Sequence, residues 1–95
     1  MTMLEVPVHP GEILKYEFLD ALGISAGNFA RHIHVPRTRI ERLCAQKTSL
    51  TVDTAKRLAR ALNTTPEFWM SLQAHYDLMS DEAEDIKDIE PLLAA

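Results

Sequence analysis

The chain has 95 residues, a formal net charge of −4 and a single cysteine, Cys44. This length suits one domain of about five helices around one core and is too short for two domains of ordinary size. No apolar run approaches the roughly 20 residues that cross a bilayer, and the N-terminal segment lacks the basic start and apolar core of a signal peptide. A lone cysteine excludes an internal disulfide and a cysteine-based metal cluster. We therefore expect a cytoplasmic protein that does not associate with membranes.

The weakly acidic total conceals an uneven distribution of charge. Residues 31–60 contain eight lysines and arginines against two acids, whereas residues 67–95 contain eight acids against one lysine. A polyanion responds to the charge that it approaches, so the basic block decides whether nucleic acid can bind. We predict one domain over residues 1–79 and an acidic extension over residues 80–95, which forms a tail or a weak sixth helix that orders on a partner.

Two helices are predicted before the basic block. The first opens with HPGE at residues 9–12, because proline fits a first helical turn and an acid there complements the helix dipole. Its apolar stripe consists of Ile13, Leu14, Phe18, Leu19 and Leu22. Gly23 ends it as a left-handed cap, and Ser25 is a good N-cap for the second helix. The second helix runs to about His32 and turns Phe29, Ala30 and Ile33 inward.

The basic block carries the pattern of a helix-turn-helix. Pro36 cannot lie inside a helix but fits a first turn, so the third helix should run from about Pro36 to Ala45. Ile40 and Leu43 face inward, and the outer face is small and cationic. A fourth helix follows Thr51, with an apolar stripe of Ala55, Leu58, Ala59 and Leu62. The arrangement is all-α.

The fifth helix begins at the TTPE signal of residues 64–67 and is rich in aromatic residues. One broad face carries Phe68, Trp69, Leu72 and Tyr76. This face either closes the core over the other helices or continues across a two-fold axis to a second copy. We predict a homodimer interface, because one small helix-turn-helix unit reads few base pairs and paired half-sites are the usual remedy.

The third helix supplies the residue types that read DNA. Arginine can pair bidentately with guanine and the threonine methyl group can contact thymine, so we predict base contacts from Arg37, Thr38 and Arg42. The predicted contacts to the DNA backbone are Asn28, Arg31, Arg39, Lys47 and Thr48. The competing interpretation is that the arginine-rich face is only a solvated surface. DNA is favoured because the clustered cations coincide with the two-helix pattern and its turn.

Other chemistries find little support in the sequence. His32 and His34 would point apart on one helix, His9 and His75 have no visible partner, and no HExxH motif exists. Cys44 lies near the apolar arc of the third helix, where a small buried hydrophobe is expected rather than a nucleophile. Catalytic glycine and serine motifs are absent as well. We predict no metal, no cofactor and no enzymatic activity.

Four segments resemble one family. They are HPGEIL at residues 9–14, FARHIHVPRTRIERL at 29–43, LTVDTAKRLARAL at 50–62 and TPEFWMSLQAHYDL at 65–78. Together they are similar to the HigA group of antitoxins, also labelled virulence-associated protein I, in the lambda-repressor-like (XRE) helix-turn-helix superfamily. The resemblance implies a homodimeric five-helix protein that binds an inverted repeat in its operator, represses its own operon and neutralises a small basic HigB-type toxin, an RNA-cleaving RelE-like protein.

The resemblance also assigns positions. Arg37, Thr38 and Arg42 match base-facing places, Arg39 and Lys47 match backbone-facing places, and the helix from Phe68 to Tyr76 matches the dimer region. Family members often have glycine where this chain has His34 and Gln46, which implies left-handed backbone at both positions. A side chain with a Cβ costs roughly 1 kcal/mol there.

Two alternative functions remain open at the level of sequence. The chain could be a stand-alone XRE-family transcriptional regulator without a toxin. It could also be a protein-interaction module that uses its acidic tail and aromatic helix, with no DNA function. A small basic open reading frame in the adjacent gene would favour the antitoxin.

Overall fold

The computed structural model describes residues 6–81 and 85–94. Across these residues the chain forms five helices and a short 3-10 turn, with no strand, which confirms the predicted all-α class. Helix α1 covers residues 10–22, and the others are α2 (Ala26–His32), α3 (Arg37–Cys44), α4 (Val52–Leu62) and α5 (Pro66–Ser80). The 3-10 turn is Asp85–Asp88. The extension predicted over residues 80–95 is thus described in part, and residues 1–5, 82–84 and 95 lie outside the described residues. No described helix is long and apolar enough to span a membrane.

Helix α1 changes its winding twice. It consists of an α-helical turn Pro10–Ile13, a π-helical segment Leu14–Leu19 and a final α-helical turn Asp20–Leu22. A π segment is wider than an α-helix and delays the rotation of the residues that follow it. Leu14 and Leu19, five residues apart, are both buried, whereas Leu22 is 64% exposed. The prediction that Leu22 belongs to the buried stripe was therefore wrong, because it assumed a uniform α-helical period.

In the described part of the chain, four helices end on a residue in the left-handed conformation. These residues are Gly23, His34, Gln46 and Asn63, with φ of 67°, 64°, 62° and 57°. The backbone N–H of the next residue donates to the carbonyl five residues before it, at 2.9–3.1 Å, which is the Schellman arrangement. The left-handed backbone that the resemblance implied at His34 and Gln46 is confirmed.

The core is built from apolar residues of all five helices and from Leu50, which lies between α3 and α4. Its buried members are Leu14, Leu19, Phe29, Ala30, Ile33, Ile40, Leu43, Leu50, Ala55, Leu58, Ala59 and Trp69. Helices α2 and α3 pack against each other as the helix-turn-helix pattern predicted, and α1 lies across α3. The helix starts also follow the sequence, because Ser25, Thr51 and Thr65 each accept a backbone N–H at the N-cap.

One predicted boundary shifts by a residue. Pro36 is the N-cap of α3, with extended backbone at ψ 144°, and the helix itself begins at Arg37. Proline suits this place as well as the first turn, because its ring fixes φ near −65° and it has no N–H to leave unpaired.

Candidate nucleic-acid interface

Helix α3 presents one polar face to solvent. Ile40 and Leu43 are buried beneath it, while Arg37, Thr38 and Arg42 are exposed. Thr38 and Arg42 are four residues apart, so they occupy the same side of the helix one turn from each other. The structure therefore brings two of the three predicted base-contacting residues onto one line.

A groove of about 510 Å³ runs along this line, between α3 and the segment that leads into α4. Thr38, Arg39 and Arg42 form one wall, and Thr48 belongs to the other. We call it the recognition groove. It joins residues that the sequence assigned separately to bases and to the DNA backbone, so both kinds of contact can be made in one place.

Arg37 lies outside the recognition groove. Its Nε is 3.3 Å from a carboxylate oxygen of Glu41, one turn along α3. Its stem packs over Gly27 at the start of α2, where an added Cβ would lie 2.7 Å from the Arg37 Cδ. Arg37 thus stands at the junction of α2 and α3, with its side chain 71% exposed.

Arg39 takes part in an ion-pair network that the sequence did not indicate. It donates to Asp53 at the start of α4, and Arg57 Nε donates to the same oxygen at 3.0 Å. Arg57 Nη1 also donates to the Ile33 carbonyl, at 2.9 Å. The two guanidinium groups, Arg39 first, hold the pKa of Asp53 below its usual value. The network ties α3 and the turn before it to α4, and it engages a residue predicted to contact phosphate.

The remaining predicted backbone contacts divide into two places. Asn28 and Arg31 are exposed on α2, where Arg31 Nη1 donates to Asn28 Oδ1 at 3.1 Å. Lys47 is exposed just after α3, and Thr48 is half-buried in the wall of the recognition groove. Asn28 and Arg31 precede α3 in the sequence, and Lys47 and Thr48 follow it. Backbone contacts on both sides of a recognition helix are typical of helix-turn-helix proteins.

Two buried polar residues hold the segment between α3 and α4, and sequence reasoning missed both roles. Gln73 of α5 is 5% exposed, and its Oε1 accepts the Leu50 N–H at 2.7 Å. His9 is 3% exposed, and its Nδ1 accepts the Gly11 N–H at 2.9 Å as the N-cap of α1. The signal for Gln73 was available, because it lies four residues after Trp69 on the inward face, where a polar residue needs a partner.

Burial of His9 favours its neutral form. Burial lowers the pKa of His9 below its usual 6.5, and a hydrogen bond with the backbone of Thr48 and the charges of Asp77 and Glu12 oppose the shift. An imidazole that accepts a hydrogen bond at Nδ1 can donate one only from Nε2. The neutral ring therefore caps α1 and binds the Thr48 backbone at the same time.

The predicted dimer face needs one correction. Trp69 is completely buried within the single chain. Its ring packs against that of Phe18, with ring centroids 5.4 Å apart, and its indole N–H donates to Thr64 Oγ1 at 2.7 Å. An indole this buried belongs to the core and has no surface for a second copy. Phe68 is 41% exposed, and Leu72 and Tyr76 are half-buried.

A second groove, of about 540 Å³, lies beside the recognition groove and was not predicted. It is lined by cationic side chains of α4, among them Lys56 and Arg60, and by His32 and His34. Asp53 borders both grooves. The two histidines line one groove although they were expected to point apart, because His34 lies beyond the end of α2 in left-handed backbone.

Cys44 is half-buried, and burial raises the pKa of its thiol. A raised pKa leaves less of the nucleophilic thiolate at neutral pH. Its position agrees with the predicted role of a small hydrophobe packed against the core.

Known proteins resemble the chain in sequence and in fold. The helix-turn-helix family model matches residues 14–69. Virulence-associated protein I of Dichelobacter nodosus is 38% identical over 81 residues, which cover 84% of this chain and 75% of that protein. Antitoxin HigA-1 of Vibrio cholerae is 37% identical over 92 residues, which cover 94% and 87%. The solved structure of Pseudomonas aeruginosa antitoxin HigA with the higBA promoter is 38% identical, with a TM-score of 0.84, and the match covers 93% of this chain and 100% of that one.

These matches confirm the family that the four sequence segments indicated, and they are matches to antitoxins and transcription regulators rather than to enzymes. The five helices observed here are the lambda-repressor-like arrangement that the resemblance implied. The chain belongs to the HigA-type antitoxins of the XRE-like helix-turn-helix superfamily.

Proposed function

We propose that this antitoxin binds operator DNA in the cytoplasm, with α3 in the major groove, and represses its own operon. The observation that carries the proposal is the placement of Thr38 and Arg42 one turn apart along the recognition groove. Support comes from the Pseudomonas aeruginosa HigA structure, which is matched over nearly the whole chain and was solved with a promoter. Eight of the ten lysines and arginines of the chain lie in the basic block of residues 31–60, which contains α3.

Each polar residue of the interface has a role in this proposal. Arg42 pairs with a guanine edge and Thr38 contacts a thymine methyl group. Arg37, at the junction of α2 and α3, reaches a neighbouring base when it releases Glu41. The residues that contact the DNA backbone are Asn28, Arg31, Arg39, Lys47 and Thr48.

The small size of the DNA-binding surface of one copy is the reason to propose a dimer. One helix in one major groove reads few base pairs, and two copies related by a two-fold axis read an inverted repeat. The interface is formed by the exposed Phe68 near the start of α5 and by the half-buried Leu72 and Tyr76, which follow at intervals of four residues along the same helix. Trp69 supports this face from the core without reaching the partner.

The second part of the function is neutralisation of a small basic RNA-cleaving toxin of the HigB/RelE type. Membership of the HigA-type antitoxins supports this part. The acidic extension offers a complementary charge to such a partner: the described residues 85–94 carry Asp85, Asp88 and Glu90 at exposed positions.

The DNA part is tested by titrating the duplex upstream of the gene and a scrambled duplex of equal composition with the purified protein at the same salt concentration. We expect tighter binding to the upstream duplex by at least about a thousandfold, with protection of two half-sites about one helical turn apart. Equal binding to both duplexes would contradict sequence recognition. Binding to neither at low salt would favour the protein-interaction module.

The toxin part is tested separately, by co-expressing the chain with the product of the adjacent gene. We expect a stable complex and relief of growth arrest. Operator binding without any such partner would favour the stand-alone regulator.

A further inference from the structure

The segment between α3 and α4 carries half of the recognition groove but makes few backbone hydrogen bonds of its own. The N–H groups of Gln46 and Lys47 close the end of α3, and the Thr51 carbonyl accepts from Ala55 at the start of α4. For residues 48–50, no backbone-to-backbone hydrogen bond is present in the described chain. These three residues all line the recognition groove. Apart from the Leu50 side chain, which is buried in the core, the segment is therefore positioned by side chains of other elements.

Gln73 supplies the fixing point from α5. Its Oε1 accepts the Leu50 N–H at 2.7 Å, and its Nε2 donates to Asp77 Oδ1 at 2.9 Å, one turn further along α5. Asp77 can only accept when ionised, so it fixes which end of the amide faces the segment. Gln73 and Leu50 are 5% and 4% exposed, so water cannot replace this hydrogen bond readily.

His9 also holds this segment, at Thr48. The backbone of Thr48 hydrogen-bonds the His9 imidazole, and the His9 ring packs edge-on against Tyr76 of α5, with centroids 4.9 Å apart. Tyr76 follows Gln73 by three residues and lies on the same side of the helix. Both attachments of the segment thus lead to one face of α5.

We propose that Gln73 is a positioning residue for DNA binding, which holds residues 48–50 from α5 so that Thr48 and the adjacent Lys47 reach the DNA backbone. The inference rests on the proposed DNA function and adds a residue that touches no DNA. It also makes α5, the helix of the proposed dimer interface, the support of the groove wall. Of the two attachments of the segment to α5, the hydrogen bond from Leu50 to Gln73 is the direct one.

The decisive variant is Gln73→Met, which keeps the length of the side chain and removes both hydrogen bonds. We expect the variant to fold, its Leu50 amide to exchange with solvent faster, and its operator affinity to fall by about tenfold. The slope of log affinity against log salt should fall by about 0.9, the value of one lost phosphate contact. Preference for the operator over scrambled DNA should be kept, because α3 is untouched.

Thr64→Val is the matched control for a purely structural effect. It removes the half-buried hydroxyl that accepts the Trp69 indole N–H at 2.7 Å, and it does not touch the segment. We expect lower thermal stability and an unchanged salt slope. If Gln73→Met shows the same pattern as Thr64→Val, Gln73 is a structural residue and the proposal is wrong.

The pair Gln73→Glu with Asp77→Asn provides a rescue at constant net charge. In this double variant the new carboxylate at position 73 can accept the Leu50 N–H, and the new amide at position 77 can donate to that carboxylate, so the chemical groups of the original pair are exchanged. We expect the double variant to bind the operator within about threefold of the wild type, whereas Gln73→Glu alone places two carboxylates together and binds more weakly. A double variant no better than Gln73→Glu alone would contradict the proposal.

A second variant covers the case in which Gln73→Met does not fold. Asp77→Ala, at an exposed position, removes the acceptor of the Gln73 side-chain amide. Asp81→Ala, just after the end of the same helix, is its control, because it removes the same negative charge without removing that acceptor. We expect Asp77→Ala to bind the operator about threefold more weakly than Asp81→Ala. Equal binding would overturn the role of Gln73. Failure of the wild type to bind any duplex would overturn the DNA function itself, so the two failures are distinguishable.

Discussion

Gly11 at the start of α1 lies directly against the carbonyl of Leu43 near the end of α3. A Cβ built on Gly11 would come 1.7 Å from that oxygen and 2.6 Å from the carbonyl carbon. The same carbonyl accepts the Gln46 N–H at 2.9 Å in the cap of α3. The contact therefore fixes α1 to the end of α3, and glycine is required here for a close approach rather than for its backbone angles.

The first prediction is that Gly11→Ala destabilises the fold, because the methyl group must displace backbone rather than a flexible side chain. We expect a loss of about 2 to 3 kcal/mol in the free energy of unfolding, measured by urea denaturation. Gly23→Ala is the control: nothing lies within 4 Å of its added Cβ, and only its φ of +67° opposes the change. It should cost about 1 kcal/mol. Equal losses for both variants would show that α1 does not pack on Leu43 as described.

The second prediction concerns His34, which adopts φ +64° in the turn between α2 and α3. His34→Gly removes the left-handed penalty of roughly 1 kcal/mol, part of which is offset by the greater freedom of glycine in the unfolded chain. We expect the melting temperature to rise by a few degrees, with the fold unchanged. His32→Gly, at the last residue of α2, should lower it instead, because the backbone there is helical and helical backbone disfavours glycine. A lower melting temperature for His34→Gly would contradict the strain assigned to this turn.

The third prediction is a loss of stability on mild acidification. Burial lowers the pKa of His9 below 6.5, so between the two pKa values the unfolded chain binds the proton more readily than the folded chain. The contribution of neutral His9 to stability is fully present above the unfolded pKa and is lost as the pH falls below it. Protonation would also remove the acceptor for the Gly11 N–H.

Urea denaturation between about pH 7.5 and about pH 5 measures this effect. We expect the free energy of unfolding to fall more steeply with decreasing pH in the wild type than in His9→Asn, because asparagine caps a helix without a titrating group. Parallel curves for the two proteins would contradict the role of His9.

The fourth prediction tests the dimer face of α5. Phe68→Lys places a charge on the exposed aromatic surface, and we expect the dimer dissociation constant to rise by at least about 30-fold with helical content preserved. Leu78→Lys on the same helix is the control, since Leu78 is 77% exposed. Sedimentation velocity at several concentrations separates monomer from dimer. A dimer as stable as the wild type in Phe68→Lys would place the interface elsewhere.

Local signals in the sequence predicted most of the fold. Ser25, Gly23, Thr51 and the apolar faces of α2, α3 and α4 each determine structure within one or two helical turns, and their positions agree with the predictions. The phase error at Leu22 shows where such reasoning ends, because no proline or glycine marks the π segment of α1.

The candidate site shows the same division. The exposed face of α3 follows from helical geometry alone, so Thr38 and Arg42 could be placed from the sequence. Asp53 lies 14 residues from its partner Arg39, and Leu50 lies 23 residues from its partner Gln73, so no local period indicates either contact. Trp69 was misassigned for a related reason: aromatic residues on one face of a helix do not reveal whether that face meets its own core or a second copy.

The most direct test of sequence reading by α3 is the operator affinity of Arg42→Ala beside that of Lys47→Ala. We expect Arg42→Ala to weaken operator binding by about 1 to 3 kcal/mol while scrambled DNA is bound almost as before. Lys47→Ala should weaken both duplexes alike and reduce the salt slope by about one. Unaltered affinity for the upstream duplex in both Arg42→Ala and Arg37→Ala would show that α3 is not the recognition helix.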